Sequence, residues 1–231
     1  MGDGIRKRRS TMFFNDSIPD KNDIDDIILD SVTYTPNKCT VPYHRVKVYG
    51  PEYKEDKEKF VIQTNCNPKY QKIPDSKAKM DFLKSEYEEW SSLYYEAAEN
   101  RDVDKKYIDE RFDYYDFNPQ VLAPYLFIFY DAHETTADPL QPHIKMTEDD
   151  VLIKASQSSS MHALNIACLA AEKNISSSFC NDMATHTEYN DHRIDDSHDI
   201  VMMLGLGYPL ENKWYPKLRI VPEVEKVVEW Q

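Results

Sequence analysis

Hydrophobic residues recur along this chain with periods that predict both helices and strands. The first helix is predicted to begin at Asp20, which can cap its N-terminus, and to end before Pro36. Ile24, Ile27 and Ile28 follow at spacings of three and four, so they share one helical face. The pattern therefore predicts an amphipathic helix.

Three segments have the pattern of strands. The segment "RVKVYG" alternates between apolar and polar residues and ends at Gly50. The segments "APYLFIFYDA", which begins around Pro124, and "DIVMMLGLGYP" are continuous runs of apolar and aromatic residues. Because strands covered on both faces have such runs, we expect the last two to be buried.

Two further segments are predicted to be helical. Ser76 begins an apolar stripe, with spacings of three and four, that stops near Asn100. The segment "MHALNIACLAAEKN" follows the serine-rich residues 156–160 and is apolar on nearly every face, with His162 and Asn165 as the main exceptions. A helix without a wet face is buried in a core or in a subunit interface.

The predicted helices and strands are interleaved along the chain, which has no internal repeat and no low-complexity linker. We therefore expect a single domain over residues 1–231. Its fold class is α+β, with helices that flank a mostly antiparallel central sheet. A chain of 231 residues is long enough to bury a sizeable core.

Composition narrows the classes of function. Apolar residues make up 41% and charged residues 30%, as in ordinary globular proteins, but the formal net charge is −13. An acidic chain is a poor general nucleic-acid binder, because phosphate contacts need an excess of lysine and arginine. No apolar run is long enough to span a membrane, and no apolar signal region follows the basic N-terminus. Four cysteines without a CxxC pair do not suggest a disulfide framework, so a cytoplasmic, reducing location is expected.

A local cationic cluster interrupts this acidic background. It consists of four consecutive cations and the hydroxyl residue that follows them: Arg6, Lys7, Arg8, Arg9 and Ser10. Three interpretations are open, namely a solvated basic tail, a nucleic-acid or nuclear-import patch, and an anion pocket in which guanidinium groups grip a phosphate. Taken alone, the cluster favours the solvated tail.

A second basic pair strengthens the anion-pocket interpretation. Lys217 and Arg219 stand two residues apart in "PKLRIV", so they point to the same side of a strand-like segment. Two cations on one side repel each other unless an anion lies between them. We therefore predict that this pair and the N-terminal cluster converge on one phosphate in the folded protein.

The histidines of "HTEYNDHRIDDSHD" suggest a different kind of site. His186, His192 and His198 lie among acidic residues, where histidines can bind a metal. Their spacing of six residues matches no short zinc pattern, so a solvated polar loop is the preferred interpretation. We predict no metal site, and we find no catalytic triad or acid–base pair.

The order of the motifs resembles the FMN-dependent nitroreductase family. The segments "RRSTMFF" and "IPDKNDIDDIILDSVTYTPNKCTVPYH" are similar to the family's opening, which has an Arg-Arg-Ser cluster, a helix and a Pro-Ser-containing loop. The segment "LNIACLAAEKNISSSFC" is similar to the family's buried helix, "VMMLGLGYP" to its late strand, and "KLR" to its C-terminal Lys-x-Arg. These matches occur in the family's order and span nearly the whole chain.

This resemblance implies where a flavin would be held. Contacts to the FMN phosphate fall on five cationic or hydroxyl residues: Arg8, Arg9, Ser10, Lys217 and Arg219. The loop that reaches the flavin ring, often from the partner subunit, falls on Pro36, Asn37, Lys38 and Thr40. The segment over the other face of the ring falls near Phe179 and Cys180.

The chain departs from the family pattern in several places, including Asn37 in place of the serine of the Pro-Ser loop and Val41-Pro42-Tyr43 in place of its Gln-Pro-Trp. Met12 stands where the family usually has a further cation after the serine. Asn174, Ile175 and Ser176 replace a Gly-Leu-Gly. Residues 51–119 match nothing in the family pattern, and we expect them to be a variable helical insertion that shapes substrate choice.

The function implied by the resemblance is that of an FMN-dependent oxidoreductase. Electrons would pass from NAD(P)H through FMN to nitroaromatic, quinone or similar acceptors, and the cofactor rather than a catalytic side chain would carry the reaction. The implied assembly is an intertwined homodimer with FMN at its interface, without a nucleic-acid or membrane partner. The alternatives are reductive dehalogenation or flavin cleavage on the same fold, flavin binding without turnover, and a basic-arm interaction protein with no cofactor.

Overall fold

The computed structural model describes one sheet and the helices packed around it. The described residues are 4–8, 10–11, 14–36, 43–57, 78, 119–131, 147–180 and 199–209. The helices are α1 (Gly4–Lys7), α2 (Lys21–Tyr34) and α3 (Glu148–Glu172), together with a 3-10 helix at Pro119–Leu122. The strands are β1 (His44–Tyr49), β2 (Tyr125–Asp131), β3 (Ser176–Cys180) and β4 (Ile200–Gly207).

The four strands form one antiparallel sheet in the order β1-β2-β4-β3. Strands β2 and β4 lie in the middle and are buried on both faces, as their continuous apolar sequences predict. Phe127 pairs with Leu204 and Phe129 pairs with Met202. Because directly paired residues share a face, these side chains form one apolar layer. The layer packs against α2 and α3 and is the main core of the described chain.

Helix α2 begins and ends where the sequence predicts. The carboxylate of Asp20 accepts a hydrogen bond from the amide of Asn22 over 2.8 Å, which caps the N-terminus. Ile24 and Ile27 are buried in the core at 2% and 1% exposure. The helix ends just before Pro36. Capping, apolar period and termination are therefore confirmed for this element.

Helix α3 is longer than the sequence predicted. It begins at Glu148, upstream of the serine-rich residues 156–160, because Thr147 and Asp150 form a capping box. The hydroxyl of Thr147 accepts from the amide of Asp150 over 3.1 Å, and the Asp150 carboxylate accepts from the amide of Thr147 over 3.1 Å. The serines lie inside the helix, where the Ser160 hydroxyl donates to a carbonyl one turn earlier. The prediction that the helix starts after the serines was wrong.

One side of α3 faces the core and another is exposed in the single chain. Ala163, Ile166 and Ala170 are buried against the sheet and α2. Met161 and Leu164 are each 43% exposed, although both are large apolar residues. Burial in the core therefore accounts for part of this apolar helix and leaves an apolar side uncovered.

The end of α3 is fixed by an asparagine in the left-handed region. Asn174 has a φ of 60°. The amides of Asn174 and Ile175 donate to the carbonyls of Ala171 and Ala170 over 3.2 and 2.9 Å. This pattern is a Schellman motif, in which glycine is usual and asparagine is the next most suitable residue. The chain thus keeps a glycine-type turn without the glycine, and the turn leads directly into β3.

Several sequence predictions concern residues outside the described ranges. Of the helix predicted from Ser76 to Asn100, only Ala78 is described, and it is helical. The histidine-containing segment 186–198 and the tail 210–231 also lie outside the described residues. Strand β3, by contrast, was not predicted, because its sequence of consecutive serines lacks the β-branched residues typical of strands.

Candidate functional site

The N-terminal segment that carries the cationic cluster runs beside β3 at one edge of the sheet. The amide of Thr11 donates to the carbonyl of Ser177 over 3.1 Å, and Ser10 forms an isolated parallel bridge with Ser177. Further along, the amide of Asn15 donates to the carbonyl of Tyr208 over 2.9 Å. Backbone hydrogen bonds therefore fix this segment both to β3 and to the residues that follow β4.

Two glycines permit this docking. A Cβ atom on Gly4 would collide with the carbonyl oxygen of Cys168 in α3. A Cβ atom on Gly207 would lie 2.7 Å from Pro124 and 2.8 Å from Phe14, closer than packed atoms approach each other. A side chain at either position would push the N-terminal segment away from its support. The location of the cationic cluster thus depends on close backbone packing.

The docked segment brings Arg8 to the ring of Phe179 on β3. The guanidinium carbon of Arg8 lies 5.9 Å from the centroid of that ring, within the range of a cation–π interaction. Arg8 is half-buried, its amide donates to the carbonyl of Gly4 over 2.8 Å, and Ser10 is exposed. A guanidinium and an exposed hydroxyl on the same short segment are a donor set that suits a phosphate.

The charge of Arg8 also influences the thiol of Cys168. Burial raises the pKa of the Cys168 thiol, Arg8 opposes this shift, and Glu172 adds to it. A thiol with a raised pKa is protonated at neutral pH and is a poor nucleophile. Cys168 is therefore part of the packing between α1 and α3, as its apolar sequence context predicts.

Pro209, the last of the described residues, lies beside the same N-terminal segment. Phe14 forms an isolated bridge with Pro209, whose carbonyl accepts a hydrogen bond from the side-chain amide of Asn15 over 3.1 Å. In the sequence, Lys217 follows Pro209 by eight residues and Arg219 by ten. In the sequence, the second basic pair therefore comes shortly after a residue that contacts Phe14 and Asn15, just beyond the N-terminal cationic cluster.

The other predicted cofactor contacts are distributed differently. Cys180 follows Phe179 on β3, so it points to the opposite face of the sheet, where it is buried. Pro36 is exposed just after α2, and the neighbouring Thr35 hydroxyl accepts a hydrogen bond from the Asn165 amide over 3.0 Å. The remaining predicted contacts lie outside the described residues: Arg9, Asn37, Lys38, Thr40, Lys217 and Arg219.

Three buried hydroxyl groups have no hydrogen-bond partner within the described part of the chain: Tyr43, Ser159 and Ser177. Two of them adjoin predicted cofactor contacts. Ser177 is the bridge partner of Ser10, and Tyr43 directly follows the loop 37–42. Unsatisfied buried polar groups are rare and often belong to functional sites. These two hydroxyls lie at opposite edges of the sheet, Ser177 on β3 and Tyr43 just before β1.

A second polar cluster lies at the opposite edge of the sheet, between β1, α2 and α3. The Nε2 atom of His44 lies 2.9 Å from the Nδ1 atom of His162, and the two rings form the centre of the cluster. The Nδ1 atom of His44 lies 2.7 Å from the Ser158 hydroxyl, and the Nε2 atom of His162 lies 2.9 Å from the Ser31 hydroxyl. All four side chains are buried.

The protons in this histidine–serine chain can be counted. The two serine hydroxyls also lie within hydrogen-bond distance of helix carbonyls, which makes five contacts in all. Two hydroxyls and two neutral imidazoles supply four protons, so one contact lacks a proton when both rings are neutral. Almost all the hydrogen-bonding atoms of these four side chains are thus used by one another and by the two helix carbonyls. This is the arrangement of a structural network.

Burial keeps both rings neutral. It lowers the pKa of His44 to about 4, with a further contribution from the neighbouring His162 ring. Burial likewise lowers the pKa of His162. The ring of Phe129 stands against both histidines, with centroids 5.8 Å from His44 and 5.6 Å from His162. The sequence signalled only half of this cluster, because His162 interrupts an apolar helix whereas His44 resembles an ordinary residue at a strand end.

A buried lysine is a further feature that sequence reasoning missed. The ammonium of Lys57 donates to the carbonyls of Ala123 and Pro124 over 3.0 and 2.9 Å. Burial lowers its pKa to about 8, although Glu52 opposes the shift. Lys57, which follows β1, is thus bonded to the residues just before β2, although segment 58–118 lies between them in the sequence. No pattern in the charged residues around Lys57 distinguished it.

No group of three or more histidine, cysteine or acidic side chains in the described ranges could hold a metal ion. No helix in those ranges is long and apolar enough to cross a membrane.

No protein-family model matches the chain, and no curated protein matches it. Several solved structures, in contrast, are similar to the chain. The chain is similar to the FMN- and NADPH-dependent nitroreductase NfnB from Sphigopyxis sp. strain HMH, with a TM-score of 0.58 and 16% identity over 99% of this chain and 97% of that one. It is also similar to FMN-dependent NfnB from Mycobacterium smegmatis in complex with NADPH, with a TM-score of 0.58 and 10% identity over 99% and 96%.

A third similar structure is the nitroreductase with bound FMN from Bacteroides fragilis. It has a TM-score of 0.52 and 15% identity over 92% of this chain and 89% of that one. These similarities extend over nearly the full length of each protein. The chain therefore has the nitroreductase fold, and the α+β class predicted from the sequence is confirmed.

Proposed function

We propose that the chain is an FMN-dependent oxidoreductase of the nitroreductase type. The observation that carries the proposal is the docking of Arg8 and Ser10 beside β3, in a fold shared with proteins that are described as FMN-dependent. Fold alone does not define a function, so the local donor set carries the argument. A guanidinium and a hydroxyl beside a sheet edge suit a phosphate monoester.

The residues proposed to hold the FMN phosphate are Arg8, Arg9, Ser10, Lys217 and Arg219. Charge-assisted hydrogen bonds contribute about 1.5–3 kcal/mol each, so several together would give tight binding. The ring is proposed to lie towards the loop that contains Pro36, Asn37, Lys38 and Thr40, with β3 and its Phe179 and Cys180 on the other side. The unpartnered hydroxyl of Ser177, the bridge partner of Ser10, supports the proposed position of the phosphate.

Bound FMN would supply the redox chemistry, by accepting a hydride and passing its electrons on. The proposed electron donor is NADH or NADPH, and the proposed acceptors are nitroaromatics, quinones or similar electron-poor compounds. The chain itself would bind and orient these molecules and exclude water.

We also propose that two copies of the chain form an intertwined dimer with FMN at the interface. Large apolar side chains on α2 and α3 are exposed in the single chain and support the proposal: Leu29, Val32, Met161 and Leu164. Exposed apolar patches of this kind mark association surfaces. Light scattering of the purified protein should give the mass of two chains, whereas the mass of one chain would contradict the proposal.

The proposed organisation is one FMN-binding domain over residues 1–231 with a variable helical insertion at 51–119. The bond from Lys57 to the carbonyls before β2 supports it, because the two ends of such an insertion would then adjoin. We propose a cytoplasmic location, in line with the free thiols of Cys168 and Cys180. A fusion to a fluorescent protein would test the location by microscopy.

The function is tested by asking whether the full-length protein binds flavin and passes electrons. We expect the purified protein to be yellow, to release FMN on denaturation, and to lose its colour when NADPH or NADH is added without oxygen. Reoxidation by a nitroaromatic or a quinone would then complete turnover. Bound FMN that no nicotinamide reduces would point to flavin binding without turnover, and a colourless protein that ignores added FMN would refute the proposal.

A further inference from the structure

The contact between Arg8 and Phe179 assigns a specific task to an aromatic residue that the sequence associated with the flavin ring. The guanidinium carbon of Arg8 lies 5.9 Å from the ring centroid. The Arg8 backbone is fixed separately, because its amide donates to Gly4 and Gly4 is packed against Cys168 of α3. The backbone of Arg8 is thus held through Gly4 against α3, and its guanidinium lies against β3.

Phe179 is itself well anchored. It is half-buried and packs against the hydrophobic core, and its backbone pairs with Leu204 in the middle strand β4. Its ring can therefore act as a fixed surface for a mobile side chain. Arginine has many rotamers, and a ring that restricts them reduces the conformational entropy lost when an anion binds.

We propose that Phe179 is a positioning residue for the FMN phosphate, which it serves by holding the Arg8 guanidinium ready for the anion. The inference rests on the proposed function and adds a role to it. Phe179 acts through Arg8 and on the phosphate end of the ligand. It does not need to touch the flavin ring, which is the role that the sequence resemblance implied for this segment.

Two ligands distinguish these roles. FMN and riboflavin share the ring, but only FMN carries the phosphate. If Phe179 acts through Arg8, then Phe179→Leu should weaken FMN binding about two- to tenfold and leave riboflavin binding unchanged. If Phe179 stacks on the ring, both ligands should weaken together, and this result would overturn the inference.

A double-mutant cycle tests whether the effect passes through Arg8. The full-length protein is stripped of flavin, and FMN dissociation constants are measured for the wild type, Phe179→Leu, Arg8→Ala and the double variant. In the Arg8→Ala background, we expect Phe179→Leu to have no further effect on FMN affinity. The contact through which Phe179 is proposed to act is then already absent. Equal effects of Phe179→Leu with and without Arg8 would contradict the inference.

If Phe179→Leu fails to fold, a change that keeps the size of the ring still tests the inference. Pentafluorophenylalanine, incorporated at position 179, keeps the size of the ring but reverses the charge distribution that attracts a cation. Phe179→Tyr keeps the attraction and should bind FMN as the wild type does. We expect the fluorinated protein to bind FMN more weakly than the wild type while its melting temperature stays the same, and unchanged FMN affinity would overturn the inference.

The outcomes separate the inference from the function on which it rests. If the wild-type protein does not bind FMN at all, the proposed function fails. If the wild type binds FMN and the fluorinated and leucine variants bind it equally well, the function stands and the role of Phe179 is refuted. Loss of FMN affinity confined to Phe179 variants that retain Arg8 would establish the positioning role.

Discussion

Two polar clusters among the described residues lie at opposite edges of the same sheet and are built in opposite ways. At the β1 edge, His44, His162, Ser31 and Ser158 are buried and bond to one another. At the β3 edge, Arg8 is half-buried and Ser10 is exposed. Helix α3 supports both clusters. The comparison teaches that a polar cluster closed on itself stabilises a fold, whereas one with exposed donors is suited to an external ligand.

The largest expected effect comes from breaking the closed cluster. His44→Ala removes a buried ring and leaves the facing groups of His162 and Ser158 without a partner, so it should lower the free energy of unfolding by about 3–5 kcal/mol. Chemical denaturation measures this loss. Arg45→Ala, at the exposed neighbouring position, is the matched control and should change stability by less than about 0.5 kcal/mol. A loss for His44→Ala as small as that of the control would show that the cluster is not structural.

The same cluster should make stability depend on pH. Burial lowers the pKa of His44 to about 4 in the folded protein, whereas the unfolded chain binds this proton near pH 6.5. Stability from this group is therefore complete above pH 6.5 and is lost as pH falls towards 4, with a maximum loss of about 3 kcal/mol. Denaturation at a series of pH values between 5 and 7 measures the slope.

A matched variant identifies the source of that slope. His44→Gln keeps a polar side chain but does not titrate, so its stability should vary less between pH 5 and 7 than that of the wild type. A slope that is identical in the two proteins would assign the dependence to other groups.

Substitutions in the cluster at the β3 edge should weaken FMN binding and leave stability nearly unchanged. Arg8→Ala should weaken FMN binding about tenfold to a hundredfold through the loss of a charge-assisted bond, with little change in melting temperature. Arg219→Ala should also lower the FMN content of the purified protein without unfolding it. Arg45→Ala removes the same charge from the β1 edge and should leave FMN affinity unchanged. Unchanged flavin content in Arg8→Ala and Arg219→Ala would remove these residues from the site.

The smallest expected effect concerns the turn that connects α3 to the cationic edge. Asn174 has a φ of 60°, which glycine adopts freely and alanine adopts at a cost. Asn174→Ala should therefore lower stability by about 1 kcal/mol, and Asn174→Gly should preserve it. Thermal melting compares the two variants. Equal melting temperatures would show that the backbone at this turn is unstrained or has rearranged.

The sequence predicted those parts of the fold whose residues match their local environment. Helix α2 has a capping aspartate, a regular isoleucine period and a proline just beyond its end, and it was placed correctly. The middle strands β2 and β4 are continuous apolar runs, which is the expected pattern for burial on both faces. In these elements the local preference and the tertiary environment agree.

Of the two failures, one came from an overlooked local signal and the other from a tertiary contact. Serines 156–160 are weak helix formers, yet they lie inside α3 because the Thr147–Asp150 capping box starts the helix earlier. The serines of β3 form a strand because β4 pairs with them.

The candidate site was predictable in its chemistry but not in its contacts. The run of cations before Ser10 is visible in the sequence, but only the second basic pair and the family resemblance indicate a phosphate site there. The contact of Arg8 with Phe179 joins residues 171 positions apart in the sequence, and no periodicity contains it. The histidine cluster likewise joins β1 to α3, so His162 could be noticed without its partner His44.

The most direct test of the account is the flavin content of the purified full-length protein. The account predicts a flavin absorption spectrum, FMN as the flavin released on denaturation, and loss of that FMN in Arg8→Ala but not in Arg45→Ala. A colourless protein that does not bind added FMN would contradict it, and so would an Arg8→Ala protein that retains as much FMN as the wild type.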